Sequence, residues 1–381
     1  MTATTIAAEL HQLGQQVLVL QGGGALGAYQ VGVYQALHEH GIEPDWVIGT
    51  SIGAINAAII AGSPPAERMD RLRAFWKRVE HGQIFDRMLP AAFAGPWRNL
   101  ATIAQGLPSF FMPNPMAFLS PHMLLGAEKA GYYSVNPLRQ TLSDLVDFSI
   151  INDGPMRLTV GATRVATSEM VYFDSRDMAL ELDHVMASGA LPPAFPAVRI
   201  AGELYWDGGI LSNTPVEVVF DDNPRRNSMV YAVHIWNPHG PEPQSIWDVM
   251  NRQKDVQYSS RASTHIKRQR QLHQLRHIIT ELAALVPEDR RNSADVAHLA
   301  AYGCSTRMHV IRLLAPTLAN EDHSKDIDFS AAGISARWEA GYADTMHTLE
   351  SAPWREPVDP LEGFVLHEAM GGHKITTPAA G

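Results

Sequence analysis

The chain has 381 residues, 45% hydrophobic and 18% charged, the balance of a folded globular protein rather than of a disordered one. A formal charge of −10 argues against a nucleic-acid-binding protein and against tight whole-body attraction to anionic membranes, while leaving room for a local basic patch. Cys304 is the single cysteine, so an intrachain disulfide is excluded and a reducing compartment fits.

The opening residues, MTATTIAAELHQLGQQVLVL, lack the basic start and apolar centre of a secretory signal. No window holds the roughly 18 consecutive apolar residues of a spanning helix. A cytoplasmic location is expected, with any lipid met from the water side. Residues 1–14 read as a leading segment. QVLVL at 16–20 then reads as a buried parallel strand, and GALGAYQVGVYQALHEHG as a helix closed by Gly41. PDWVIGT predicts a second strand and SIGAINAAIIAG a second helix ending at Gly62. Strand, helix, strand, helix within about fifty residues predicts a parallel α/β sheet.

ERMDRLRAFWKRVE continues as helix. The stretch from Met88 to Leu119 mixes Met, Phe and Trp with prolines, and is expected to pack in the core or to line an acyl channel or lid. RLTVGATRVATSEMVYFDS predicts a strand pair, and SMVYAVHIWNP a further buried strand. After residue 240 the composition changes. One long helix is expected near 252–285, with Ile266, Leu272, Leu275, Ile279 and Leu282 on one face. It carries Arg252, Lys254, Arg261, Lys267, Arg268, Arg270 and Arg276 against few acids, which suits either a solvated face or peripheral contact with an anionic membrane. Another helix is expected in GISARWEAGYADTMHTLE, then a loose Pro- and Gly-rich tail. The expected organisation is a catalytic domain over 15–240 and a mainly helical extension over 241–381.

Three motifs carry chemistry. Gly49-Thr50-Ser51-Ile52-Gly53 lies between a strand and a helix, the setting of a nucleophile elbow, where glycines either side permit a tight turn that lifts the serine hydroxyl clear. Gly22-Gly23-Gly24-Ala25-Leu26-Gly27 follows the first strand, and its amides suit an anion. It also matches a dinucleotide fingerprint, but the second strand ends in Gly49-Thr50-Ser51 with no acid for a ribose, and Asp45 lies before that strand. An oxyanion hole for acyl transfer uses these glycines better. The third motif, Asp207-Gly208-Gly209, reads alone as a plain hairpin turn.

These three blocks together with MASGALPPAFPAV, in order and spread over residues 15 to 235, resemble the patatin-like phospholipase family. The resemblance implies a three-layer α/β sandwich with a mostly parallel sheet. It further implies Ser51 as nucleophile, Asp207 as its partner in a Ser–Asp dyad, and Gly22, Gly23, Gly24 and Gly27 as the oxyanion loop. Gly49, Gly53, Gly208 and Gly209 would support the two turns. Gly209 stands where many members have alanine. The implied activity is hydrolysis of fatty-acyl esters of phospholipids or lysolipids through an acyl-enzyme, with no metal or cofactor.

A dyad requires Asp207 to take the serine proton directly, so a water-poor site must raise its pKa. His234, near the end of a later strand, leaves a Ser51–Asp207–His234 triad open, acting on small or polyester esters. A non-catalytic module that keeps the fold and binds acyl chains or a partner helix is the alternative from another class. Ser188 and Cys304 are weaker nucleophile candidates, and the stretch around Ser188 is expected to pack against the elbow and shape the acyl pocket.

Overall fold

Residues 17–20 are buried on both faces, so the strand they form must be covered from both sides. The computed structural model describes residues 3–80, 105–318, 321–359 and 362–368, and sets that strand, β1 (Gln15–Leu20), inside a nine-stranded sheet. Helix α1 (Ala3–Leu13) precedes it; α2 (Ala28–Glu39), β2 (Trp46–Gly49), α3 (Ile52–Ala61) and α4 (Arg68–Val79) follow. A small ladder joins β3 (Met112–Pro113) to β4 (Tyr133–Ser134). Then come β5 (Arg157–Arg164), β6 (Glu169–Asp174), β7 (Val198–Ile200), β8 (Glu203–Asp207) and β9 (Ser228–His234). The chain ends its sheet with β10 (Met308–Leu314) and β11 (Phe364–Glu368).

The order is β11-β10-β9-β1-β2-β5-β8-β7, with β6 also on β5. The six strands from β11 to β5 are parallel; β6 and β8 run antiparallel to β5, and β7 antiparallel to β8. Alternate residues of β1 face opposite layers. Leu18 and Leu20 join α2, α3 and α4 in one core, while Val17 and Val19 join Phe220, Ile266 and Phe364 in the other. The expected α/β/α sandwich is therefore what forms. Helix α3 is buried at every position, which its run SIGAINAAIIAG, apolar but for Asn56 inside the helix, requires.

The composition shift at residue 240 does not end the sheet. Both β10 and β11 lie beyond it, and β10 pairs with β9 over seven registered residues. The helices expected in this region are present, and the two strands come in addition: MHVIRLL and FVLHE are short runs embedded among helices, too brief to declare a period. The helix Ala331–Ser351 lies along α2. They touch backbone to backbone: a Cβ on Gly32 would lie 1.9 Å from the Trp338 carbonyl, and one on Gly341 2.0 Å from that of Tyr29. Tyr29, Gln35 and Glu39 of α2 bond Asp344, Trp338 and Tyr342 across this contact.

The long helix exists, as Ile246–Ala284, opened by Ser245 and Asp248 in a capping box. Its packing stripe differs from the expected one. Ile266, Gln269, His273 and His277 are buried, whereas Leu272, Leu275 and Leu282 are exposed. Both histidines point at the Thr306 carbonyl, so the face that docks is partly polar and hydrophobic periodicity selects its neighbour instead. Of the stretch from Met88 to Leu119, residues 88–104 lie outside the described residues, as does the tail from 369 to 381.

Candidate active site

The elbow is built where β2 stops. Ser51 sits between Thr50 and α3 with φ 56° and ψ −125°, a conformation that costs a non-glycine residue about 1–3 kcal/mol and persists only where the surroundings hold it. The holding is visible. A Cβ on Gly49 would lie 2.3 Å from the Gly53 carbonyl, and one on Gly53 2.2 Å from that of Leu20, so the turn closes tightly against β1. The Ser51 amide donates to the carbonyl and hydroxyl of Ser188, both at 3.1 Å, and the Ser188 hydroxyl donates to the Gly161 carbonyl at 2.6 Å. Ser188 is fully buried and serves as a strut beneath the turn.

Asp207 ends β8, held by its amide on the Ala190 carbonyl at 3.0 Å. Only 2% of it is exposed. Its carboxylate accepts the Gly209 amide at 2.7 Å, and that amide and the Ser51 side chain both favour its charged form. Burial outweighs both influences and pushes its pKa up to about 7. Ser51 and Asp207, 156 positions apart in sequence number, thus meet on one cavity of about 250 Å3.

Gly22, Gly23 and Gly24 line the same cavity. Gly22 is already committed: its amide donates to the Asn213 carbonyl at 3.2 Å, and its carbonyl accepts from Trp236 Nε1 at 2.7 Å and Asn213 Nδ2 at 3.1 Å. Gly27 sits off the cavity wall, packed on the Ile52 side chain. Gly208 lies against the Gly161 carbonyl, and Gly209 belongs to the cavity wall.

His234 ends β9 fully buried and is not among the cavity-lining residues. Burial, aided by the nearby Arg312, lowers its pKa to about 3, so the ring is neutral. Cys304 contacts the Thr306 hydroxyl and likewise lies away from the cavity.

Several residues of the site escape a reading of motifs. Gln21 is the hub. Its Oε1 accepts the amides of Ile235 and Trp236 at 2.6 and 3.0 Å, its Nε2 donates to Thr214, and its carbonyl accepts from Gln30. Gln30 bonds Asn56, which bonds the Gly27 carbonyl and Trp76. The glycine loop is thereby fixed from below by a fully buried polar chain. The available signal was a glutamine ending an apolar strand, and polar residues inside two otherwise apolar helices. The C-terminal region also reaches the cavity, through Tyr258 of the long helix and Asp326, Ile327 and Phe329. That segment is pinned by two ion pairs, Lys254–Asp326 at 2.6 Å and the buried Lys325–Asp255 at 2.7 Å.

The sequence of residues 18–220 matches the family model described as patatin-like phospholipase. The chain belongs to the patatin-like phospholipase family. A second model, described as patatin phospholipase, matches residues 256–361, so the region that supplies Tyr258 and Phe329 carries its own family signature. Patatin-like phospholipases are hydrolases of carboxylic ester bonds. The chain is similar to lysophospholipase nte1 of Aspergillus terreus, 47% identical over 279 residues, 65% of this chain and 16% of that protein. It is also similar to the patatin-like phospholipase domain-containing protein ZK370.4 of Caenorhabditis elegans, 29% identical over 203 residues, 53% of this chain and 12% of that protein. The chain therefore spans between 12% and 16% of the length of these two relatives. Among solved structures, VipD from Legionella pneumophila aligns over 88% of this chain and 67% of its own, at 18% identity and a TM-score of 0.37. Among the described residues, no helix is long and apolar enough to cross a membrane.

Proposed function

We propose that this protein is a serine acyl hydrolase that cleaves fatty-acyl esters of phospholipids or lysolipids through Ser51 and Asp207. One observation carries the reading: the strained serine of the elbow shares a cavity with a buried carboxylate whose pKa, about 7, suits a proton acceptor near neutrality. The Ser51 hydroxyl attacks the ester carbonyl while its proton passes to Asp207. The amides of Gly23 and Gly24, at the cavity wall, hold the negative charge that develops on the carbonyl oxygen. Collapse expels the alcohol, which takes the proton from Asp207. Water then attacks the Ser51 acyl ester, again giving its proton to Asp207, and collapse returns it to the serine as the fatty acid leaves.

A dyad is supported over a triad because Ser51 and Gly209 are the groups that lower the Asp207 pKa, and His234 lies off the cavity. The lining favours an acyl chain as ligand: Ile52, Ile55, Phe110, Phe111, Tyr133 and Leu138 face it. The proposal extends to a cytoplasmic enzyme in peripheral contact with its lipid. Arg252, Lys254 and Arg270 of the long helix are engaged with Pro238, Asp326 and Glu362, which leaves its exposed Lys267 and Arg268 for that contact, together with the exposed apolar Met116, Phe118, Leu119 and Leu124. Phe118 packs on Tyr133 at the cavity, which makes this apolar rim continuous with the acyl site.

A fluorophosphonate probe tests the reading. Covalent labelling at Ser51, absent in Ser51→Ala, is expected together with fatty-acid release from lysophospholipid. A folded chain that takes up no probe overturns it.

A further inference from the structure

The acyl cavity is small, and part of its wall belongs to the C-terminal region. Tyr133 and Phe195 are its partly exposed aromatic lining. Phe329, also in the lining, is 2% exposed and its ring stacks on the buried indole of Trp76, with centroids 6.2 Å apart. Phe110 lies between them, 5.7 Å from Phe329 and 6.4 Å from Phe195. Behind the Phe329 ring, Trp76 is itself core, bonded through its indole nitrogen to Asn56.

The volume gives a length. An apolar cavity of about 150 Å3 accommodates benzene, with six carbons. By that proportion the 250 Å3 here takes about ten. We infer that Phe329, presented by the C-terminal region, makes this protein selective for medium-length acyl chains, its ring, backed by Trp76, taking the space that long ones need. The inference rests on the hydrolase reading and goes beyond it by naming the acyl class and the residue that sets it. Phe329 is a wall, not part of the proton-transfer machinery. Its position depends on the segment that Lys325 ties to Asp255 in the long helix. The fold thus has two contributors to one site: the first matched region brings the reacting groups, the second decides what they receive.

The test uses the full chain and a series of p-nitrophenyl esters from butanoyl to palmitoyl in mixed micelles of constant composition. For the parent, kcat/KM is expected to peak near octanoyl to decanoyl, with palmitoyl about tenfold or more below the peak. Phe329→Ala removes the ring and enlarges the cavity toward Trp76, so the peak moves to dodecanoyl or longer. Leu138→Phe fills the cavity from its side and moves the peak toward butanoyl. Opposite shifts from enlarging and filling variants are not a folding defect, and the second variant keeps the test open if the first fails to fold. Fluorophosphonate labelling of Ser51 is followed in parallel. Labelling with a flat profile, with palmitoyl preferred by the parent, or with a peak that neither variant moves, overturns the chain-length inference alone. A parent that neither labels nor hydrolyses any ester overturns the hydrolase reading and this inference with it.

Discussion

The part of the molecule before residue 240 and the part after it build one cavity by different means. The first supplies reacting groups through backbone geometry: a turn with positive φ at Ser51, a strand end at Asp207 and a run of glycines. The second supplies walls through side chains, Tyr258 and Phe329, held in place by ion pairs and by a helix laid along α2. The difference teaches that chemistry can be fixed locally, by residue types a short turn requires. The shape of a binding site is fixed by residues that meet only after the whole chain has folded.

That division can be attacked experimentally. The largest effect is expected in the first part: Ser51→Ala or Asp207→Asn should each lower kcat by on the order of 10^4 or more, and the double variant should lose little beyond either single one, since groups acting as a unit are not additive. Single and double variants assayed side by side check this. A large extra loss in the double variant would mean that the two residues act separately.

The next effect belongs to the second part. Lys325 and Asp255 are both buried, and Lys325→Met strands a carboxylate at a cost of about 3–5 kcal/mol. Urea denaturation should show a lower midpoint. An unchanged midpoint would mean that the wall segment rests on the site without being anchored to it.

A smaller and sharper effect is the pH profile. With Asp207 titrating at about 7, kcat/KM should rise about tenfold per pH unit below that value and level off above it. Stability should run the other way. The folded pKa is raised above the usual carboxylate value, so the buried group contributes stability that is fully present below the unfolded pKa and is lost as pH rises through about 7. Asp207→Asn should therefore be less sensitive to the rise in pH from the usual carboxylate range to about 7, while inactive. Melting temperatures of both proteins across pH 5 to 9 decide the point; parallel curves would contradict the raised pKa.

The smallest effect is expected at β9. His234→Asn should change ester hydrolysis by no more than a few-fold, because a neutral histidine off the cavity wall transfers no proton there. Loss on the scale of Asp207→Asn would restore the triad.

Much of the catalytic half was legible before folding. Gly49 and Gly53 announce a tight turn because any side chain there would strike a carbonyl, and an apolar run such as residues 17–20 permits only a covered strand. Gln21 was not legible as a hub, since its partners at Thr214, Ile235 and Trp236 lie some two hundred positions away. The long helix shows the limit most plainly. Its apolar leucines suggested the docking face, yet His273 and His277 dock, because a carbonyl at Thr306 waits for them and no local pattern reveals a partner in another segment. Phe329 is legible only as one more aromatic until Trp76 is set behind it.

The position of β9 bears on how this protein can be handled. It is flanked by β1 on one side and by β10 on the other. A clone trimmed at residue 240 would remove β10 and leave β9 with a bare row of amides and carbonyls, an open template on which neighbouring molecules aggregate. Fusions, chimaeras and directed-evolution libraries built on this scaffold must therefore carry both segments, even when only the reacting groups are of interest.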